Sequence, residues 1–337
     1  MKKQLIIINN ESTFNNGDLF FCDNVAMKTI SEGLNKAFEV TMILRKSILT
    51  RSYKINLKKI KTCSNIFSFI LSIFKTFKYK ETSYLIISIT PYTFFAYIFL
   101  FLFSKKKFVY LRSNGYEEYR AILGIFGPFI YHIMYKLVTY KSNIIACQQR
   151  LAKKKKCNLV YPSELNDQWL KNTSQPKLNK PRLLYVGRIR VEKGIFSLIQ
   201  IFSSTKEDVE LSIVGNKDSI KSNSDKINYI KFVNDADALR KIYDDHNIFI
   251  LPSFTEAHPQ VIDESLARLR PVIIFEDIQH VIQNRSGIFV SKRNIESLNE
   301  TIKFIMKNYN NIQEKIKKNK LPTKEAFINQ MIEALED

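Results

Sequence analysis

Residues 248–267 read IFILPSFTEAHPQVIDESLA and indicate the fold class most clearly. The apolar run at 248–251 predicts a short buried strand, and the loop after it leads into a helical pattern near Gln260. Open α/β sheets bind ligands beside the carboxyl ends of their strands. Glu256 therefore lies in a loop where a ligand is expected, and Glu264 lies about one turn into the following helix.

The beginning of that helix is a candidate phosphate site. The first backbone N–H groups of a helix have no partner within it and face an anion with the positive end of the helix dipole. Gln260 and Val261 occupy these positions.

A second strand-end motif covers residues 182–194, which read RLLYVGRIRVEKG. The strand ends at Gly187, whose missing side chain permits close approach of a ligand to the backbone. Arg188 and Lys193 stand on one turn before the next helix, so both cations can reach a diphosphate and stabilise a leaving group that gains negative charge.

Strands and helices alternate through the second half of the chain, which predicts a parallel sheet covered by helices. The predicted elements span residues 182–186, 195–202, 209–214, 227–232, 236–244, 248–251, 260–269 and 272–275. The pattern is that of a doubly wound, Rossmann-like domain.

The first half repeats this organisation. Residues 5–8 predict a buried strand, and residues 19–34 predict a helix after a break at Gly17. Two further strands, at 84–89 and 108–111, flank a second helix. The first half is therefore also predicted to be doubly wound.

A chain of 337 residues exceeds the usual size of one hydrophobic core, so two domains are expected. Residues 171–181, KNTSQPKLNKP, have the polar, proline-containing composition of a linker. We therefore place the domains at residues 1–170 and 171–312. Residues 313–337 are expected to form a helix that returns to the first domain.

Charge is unevenly distributed along the chain. The total is +20, and residues 1–170 carry 26 Lys and Arg against 10 Asp and Glu, a net +16. Residues 171–337 carry 26 against 22, a net +4. A basic half suits nucleic acid, an anionic membrane, a polyanionic acceptor or a solvated surface without a partner, and composition does not choose among them.

Two apolar segments bear on membrane contact. Residues 94–103 are shorter than the ~20 residues that cross a bilayer, and their position between two strands favours a helix buried against the sheet over one inserted at a membrane interface. Residues 65–78 carry an Ile/Phe stripe at helical spacing, with lysines at one end. An amphipathic surface helix and an interfacial membrane helix both remain open there.

The four cysteines form no CxxC pair, so reduced cysteines are expected, with neither a zinc site nor a disulfide framework. The apolar run at residues 5–8 is too short for a signal peptide, so a cytoplasmic location is expected.

Together, Gly187-Arg188-x4-Lys193-Gly194 and Glu256-x7-Glu264 resemble the donor domain of family 4 glycosyltransferases, the glycosyl transferases group 1. The resemblance covers residues 181–306, where four further pieces fall in the family's order: Val214-Gly215, Pro252-Ser253, Pro271-Val272 and Gly287. It implies a GT-B fold, with two Rossmann-like domains facing a cleft, the first binding an acceptor and the second a nucleotide diphosphate sugar.

The resemblance also implies roles for individual residues. Arg188 and Lys193 would bind the diphosphate, Glu256 the hydroxyls of the donor sugar, and Glu264 the ribose hydroxyls. A carboxylate suits both tasks because it accepts two hydrogen bonds from a vicinal diol. The expected catalytic residues are Glu256, Arg188 and Lys193, and the expected donor site adds Gly187, His258, Gln260, Val261 and Glu264.

Members of this family retain the anomeric configuration, with the departing phosphate helping to deprotonate the acceptor. No cofactor and no metal are then expected. Asp235 and Asp237 look like the metal-binding DxD of another glycosyltransferase class, but they directly precede a helical run, so helix capping is the favoured interpretation.

The chain departs from the family at two places. Leu269 stands where many relatives have glycine, and residues 111–116, LRSNGY, lack a histidine that many relatives carry at a strand end. Arg112 and Asn114 are therefore candidate contacts of the donor or acceptor, together with Gly17. A non-catalytic sugar-binding relative and a basic nucleic-acid-binding protein are the alternative functions.

The favoured interpretation is a retaining transferase of the hexosyltransferase type. Its expected partners are a nucleotide-sugar donor, a glycan or glycolipid acceptor of surface polysaccharide or lipopolysaccharide synthesis, and an anionic membrane surface, with no nucleic acid. A peripheral position on the inner face of the cell membrane follows from the same interpretation.

Overall fold

The computed structural model describes residues 2–215 and 224–336. The chain divides into two compact units. Unit 1 comprises Met1–Glu164 and Lys324–Asp337, and unit 2 comprises Leu165–Thr323. The helix that returns to unit 1 begins at Lys324 rather than at residue 313, because a helix over Tyr309–Ile316 belongs to unit 2.

The strands among the described residues are β1 (Gln4–Asn16), β2 (Leu19–Cys22), β3 (Glu39–Ser47), β4 (Tyr53–Ile55), β5 (Ile60–Cys63), β6 (Thr82–Ile87), β7 (Lys106–Leu111), β8 (Asn143–Ala146), β9 (Asn158–Leu159), β10 (Arg182–Val186), β11 (Glu210–Gly215), β12 (Ile227–Lys231), β13 (Ile248–Leu251), β14 (Val272–Phe275) and β15 (Ile288–Ser291).

The α-helices of the same residues are α1 (Val25–Leu34), α2 (Ile66–Phe74), α3 (Pro91–Leu102), α4 (Gly115–Leu123), α5 (Gly127–Val138), α6 (Gln149–Ala152), α7 (Asp167–Leu170), α8 (Ile195–Ser203), α9 (Ala236–Asp245), α10 (Gln260–Ala267), α11 (Ile295–Lys307), α12 (Tyr309–Ile316) and α13 (Lys324–Glu336).

The core of unit 1 is a parallel sheet in the order β5-β3-β1-β6-β7-β8-β9. Strand β1 of this sheet carries the fully buried run at residues 5–8. Such continuous apolar strands are typical of sheets covered on both faces. The predicted doubly wound unit is confirmed.

The helix predicted at residues 19–34 is wrong at its beginning. Leu19–Cys22 forms β2, which pairs antiparallel with the end of β1, and α1 begins only at Val25. Gly17, with φ of 57°, stands in the two-residue turn between these strands. A two-residue Gly-Asp turn favours a hairpin, and this local preference outweighs the helical spacing that follows.

Helices cover the sheet of unit 1 on both faces. Right-handed crossovers place α1 on the face opposite to α2, α3 and α5, because the chain moves across the sheet in opposite directions through them. α1 packs against α13, whereas α2 contacts α3 and α3 contacts α5. Helices α2, α3 and α5 therefore form one continuous layer.

The expectation of a buried helix at residues 94–103 needs correction. α3 buries Ala96 and Leu100 against the rest of unit 1, but Phe95 and Leu102 are exposed. The Asn65–Lys78 region likewise forms a helix, α2, that buries Phe69 and Ile73 and leaves other apolar side chains outside.

Unit 2 is a parallel sheet in the order β12-β11-β10-β13-β14-β15, with helices between the strands. The strands at 248–251 and 272–275 have the predicted bounds. Leu269 has a φ of 58°, in the left-handed region where glycine is least strained, so the glycine of relatives matches the backbone at this position.

The predicted linker is bound to unit 2, which moves the boundary to Leu165. The guanidinium of Arg268 pairs with Asp244 and donates hydrogen bonds of 3.0 Å to carbonyls of Trp169, Lys171 and Asn172. These contacts fix the backbone of a segment whose composition resembles a flexible linker.

Candidate active site

The β10–α8 turn (residues 187–194) has a tightly fixed backbone. The Gly187 N–H donates to the Val214 carbonyl at 3.1 Å, and the Tyr185 hydroxyl donates to the Arg188 carbonyl at 2.8 Å. A Cβ on Gly215 would lie 2.6 Å from the Gly187 oxygen. The backbone of Arg188 is therefore held, while its side chain is exposed.

A second loop meets this turn. The β13–α10 loop (residues 252–259) approaches so closely that a Cβ on Gly194 would lie 1.9 Å from the Pro252 oxygen. Gly194 has a φ of 65°, and the Phe254 N–H donates to the Glu192 carbonyl at 3.0 Å. Glycine therefore allows the two predicted motifs to come together.

Lys193 and Glu256 meet where these loops touch. The Lys193 Nζ lies 2.5 Å from the Glu256 Oε1, which also accepts a 2.7 Å hydrogen bond from Ser253. The two side chains are 21% and 10% exposed. An ammonium group has three donors, so Lys193 can keep this contact and still bind a phosphate oxygen.

Glu264 lies on α10, as predicted, and is oriented by a buried tyrosine. The Tyr243 hydroxyl donates to the Glu264 Oε2 at 2.8 Å. Burial, and then the charge of Glu264, hold the pKa of Tyr243 well above its usual value, so this hydroxyl stays a donor. A carboxylate offers about four acceptor positions, which leaves Glu264 capacity for ligand hydroxyls.

His258 has a different position from the other predicted donor residues. Its side chain is buried, and the Nε2 lies 3.1 Å from the Oδ2 of the equally buried Asp263. Asp263 also forms an ion pair with Arg285. These buried contacts hold the β13–α10 loop in position, a role that the sequence analysis did not identify.

Gln260 and Val261 form the first turn of α10. The preceding residue, Pro259, has no polar side chain with which to cap the helix. The amino-terminal N–H groups predicted for phosphate binding thus lie directly after the loop that carries Glu256.

Two further side chains support the same loop. The Nε2 of His280 lies 2.9 Å from the Glu256 carbonyl oxygen. Arg293 donates to the Pro252 carbonyl at 3.0 Å and lies 4.1 Å above the ring of Phe254. Both residues are distant in sequence from the loop, so no local spacing could have indicated these contacts.

The capping role predicted for Asp235 is confirmed. Its side chain accepts a 2.7 Å hydrogen bond from the Ala238 N–H at the beginning of α9. Over residues 2–215 and 224–336, no group of three or more His, Cys, Asp or Glu side chains is placed to hold a metal ion.

The candidate contacts of unit 1 follow the carboxyl end of β7. Arg112 lies close enough to Glu11 for their charges to interact, although burial raises the pKa of the Glu11 carboxyl overall. Asn114 lines a small pocket of about 90 Å³ together with Tyr116 and Arg150. The sequence analysis missed Glu11 and Arg150, which come to this edge from other strand ends.

Gly17 differs from these candidate contacts because it has a structural position in a turn. It forms the β1–β2 hairpin turn, and nothing lies within 4 Å of the position that a Cβ would take. The hairpin turn accounts for a glycine at this position, because the turn requires a positive φ. A ligand contact at Gly17 stays a prediction.

Comparison with solved structures identifies the fold. HepE of Anabaena, solved with UDP-glucose, aligns with a TM-score of 0.72 at 12% identity, over 98% of this chain and 99% of HepE. WaaG, a glycosyltransferase involved in lipopolysaccharide biosynthesis, aligns with a TM-score of 0.65 at 12% identity, over 98% and 99%. The two doubly wound units are those of the GT-B fold, as predicted.

The sequence of unit 2 is similar to that of known glycosyltransferases. An uncharacterized glycosyltransferase of Haemophilus influenzae is 25% identical over 173 residues, which cover 47% of this chain and 48% of that relative's length. Residues 167–321 match the sequence model of the glycosyl transferases group 1. The matched part of the chain, just under half of it, contains Lys193, Glu256 and Glu264.

Proposed function

We propose that the protein is a retaining, metal-independent glycosyltransferase of the hexosyltransferase type that uses a nucleotide diphosphate sugar. The contact between Lys193 and Glu256 carries this proposal. It joins a diphosphate-binding cation and a sugar-binding carboxylate at one place, although they belong to motifs 63 residues apart. Glu264 supplies the acceptor groups for the ribose.

The chemistry assigns a task to each residue. Arg188 and Lys193 bind the diphosphate and stabilise the charge it gains as the bond from sugar carbon to phosphate oxygen breaks. Glu256 holds the sugar hydroxyls. The acceptor oxygen bonds to the same face of that carbon, and its proton passes to the departing phosphate oxygen. No protein nucleophile takes part.

We place the acceptor in surface polysaccharide or lipopolysaccharide synthesis, in line with the likeness to WaaG. The acceptor is a glycan or glycolipid that contacts the strand-end residues of unit 1, with Arg112 and Asn114 as its first candidates. The protein works in the cytoplasm, attached peripherally to the inner face of the membrane through the basic residues of unit 1.

Nucleotide binding tests the donor site. Thermal unfolding in UDP, GDP, ADP and CMP should show one preferred nucleotide, since a ligand at 100 times its Kd adds about 2.7 kcal/mol of stability. The 2′-deoxy form of that nucleotide should stabilise less, because it removes a hydroxyl that hydrogen-bonds Glu264.

Turnover and stereochemistry complete this test. The preferred nucleotide, coupled to a sugar, should be consumed, and the product should keep the anomeric configuration in an NMR spectrum. Stabilisation by none of the nucleotides would refute the donor site, whereas binding without hydrolysis or transfer would identify a non-catalytic sugar-binding protein.

Metal independence gives a separate prediction. Transfer should persist in excess EDTA, because the two cations take the place of a metal at the diphosphate. Asp235→Ala should lower the free energy of unfolding by about 1 kcal/mol through loss of the helix cap, with little change in turnover. Loss of activity in EDTA with rescue by manganese would instead assign Asp235 and Asp237 to a metal site.

A further inference from the structure

The helix layer of unit 1 exposes many large apolar side chains on its outer side. Phe67 on α2 is 83% exposed, and Ile125 and Phe126, between α4 and α5, are 84% and 68% exposed. Soluble proteins seldom leave so much apolar surface open without a function. The contacts from α2 to α3 and from α3 to α5 place these helices side by side in the layer.

The protruding part of this surface is a helical hairpin. A Cβ on Gly115 would meet the ring of Tyr131, and a Cβ on Gly127 would meet the backbone of Tyr119, so α4 and α5 run antiparallel in close contact. Gly124, with φ of 62°, stands at the reversal. The most exposed apolar side chains of this hairpin, Ile122, Ile125 and Phe126, form its tip.

This hairpin is too short to cross a bilayer. Of the described residues, one segment, Gly115–Val138, has the length and composition of a membrane span. The segment folds back on itself, and arms of 9 and 12 residues are about 14 and 18 Å long. A hydrocarbon core is about 30 Å thick, so shallow insertion of the tip is the geometry that fits.

A groove adds to the apolar surface of the helix layer. It lies between α2 and α3, has a volume of about 640 Å³, and is lined by apolar side chains that include Ile70, Phe74 and Ile98. An open groove of this composition suits a hydrocarbon chain, since it offers no polar partner to a peptide backbone.

Lysines border this apolar surface and lie against its aromatic rings. The Lys105 Nζ is 4.5 Å from the centre of the Phe77 ring. Lys141 lies 5.4 Å from the ring of Tyr140. Aromatic rings beneath ammonium groups match the boundary between acyl chains and anionic headgroups. The net +16 of residues 1–170 favours the same partner.

We infer that unit 1 docks on an anionic lipid bilayer through the α4–α5 tip and the α2–α3 groove, with the tip inserted among the headgroups and the bordering lysines against lipid phosphates. This surface deepens the membrane attachment in the proposed function and rests on that part of it. It is independent of the donor site in unit 2, so each can fail without the other.

Vesicle flotation tests the surface. The intact protein should float with vesicles of phosphatidylcholine and phosphatidylglycerol at low salt, and weakly with phosphatidylcholine alone. Salt should reduce binding without abolishing it, because insertion is not screened. Ile125→Ser/Phe126→Ser should weaken binding about tenfold to hundredfold, as two apolar side chains lose their burial. Phe67→Ser/Leu102→Ser tests the groove in the same way.

The matched control is Phe232→Ser/Phe304→Ser, which changes two exposed phenylalanines of unit 2. It should bind vesicles as the intact protein does. All variants should keep the nucleotide-induced rise in Tm, which separates loss of docking from failure of the donor site. A Phe126→Trp variant, which keeps the apolar tip, should shift its added emission to the blue on anionic vesicles.

Three results would overturn the inference. The first is failure of the intact protein to float with anionic vesicles at low salt, and the second is loss of as much binding in the control as in the tip variant. A dimer in solution that Ile125→Ser/Phe126→Ser dissolves, without any flotation, would assign the surface to a second copy of the chain.

Discussion

Lys193→Ala is expected to slow sugar transfer by roughly two to three orders of magnitude, as for the loss of one preorganised group that stabilises developing charge. Lys193 is held by Glu256 at 2.5 Å, and its turn is fixed to the β13–α10 loop by the Phe254–Glu192 hydrogen bond. The ammonium therefore needs little reorganisation when the leaving diphosphate gains charge. Single-turnover rates at saturating donor measure this effect.

Arg190→Ala is the matched control for this experiment. Arg190 lies on the same turn and is paired with Glu192 at 3.7 Å, but it has no assigned role at the diphosphate. Its removal should change turnover little. Arg188→Ala should resemble Lys193→Ala. Near-normal turnover in a folded Lys193→Ala protein would contradict the assignment, and so would an equal loss in Arg190→Ala.

The fold and the two motifs could be predicted because they depend on local patterns. The strands at 248–251 and 272–275 are short apolar runs bounded by turn residues, and the structure keeps their bounds. Glu264 falls on α10 because the helical pattern begins at Gln260. The helix assigned to Leu19–Cys22 failed because the turn at Gly17 pairs these residues with β1.

The rest of the site depends on contacts between distant residues. His280 reaches the backbone of Glu256, and Arg285 reaches Asp263, through loops that periodicity does not describe. The boundary at Leu165 likewise depends on Arg268, which binds carbonyls about a hundred residues earlier, at separations of 96 to 99. Sequence spacing indicates which side chains follow a strand, but not which of them meet.

The second large effect is expected for Gly194→Ala. An alanine there costs about 1–2 kcal/mol through its left-handed backbone. Its Cβ would also lie 1.9 Å from the Pro252 oxygen, and relief of such overpacking costs about a further 1–3 kcal/mol. The free energy of unfolding should therefore fall by roughly 2–5 kcal/mol, measured by urea unfolding followed by circular dichroism.

Gly17→Ala separates the two causes. Gly17 also has a positive φ, of 57°, but nothing lies within 4 Å of its Cβ position, so only the backbone cost should remain. In Gly194→Ala, separation of the two loops should also move Lys193 away from Glu256, and the nucleotide-induced rise in Tm should shrink. Equal destabilisation by both substitutions, with nucleotide binding unchanged, would mean that the approach of Gly194 to Pro252 does not hold the site together.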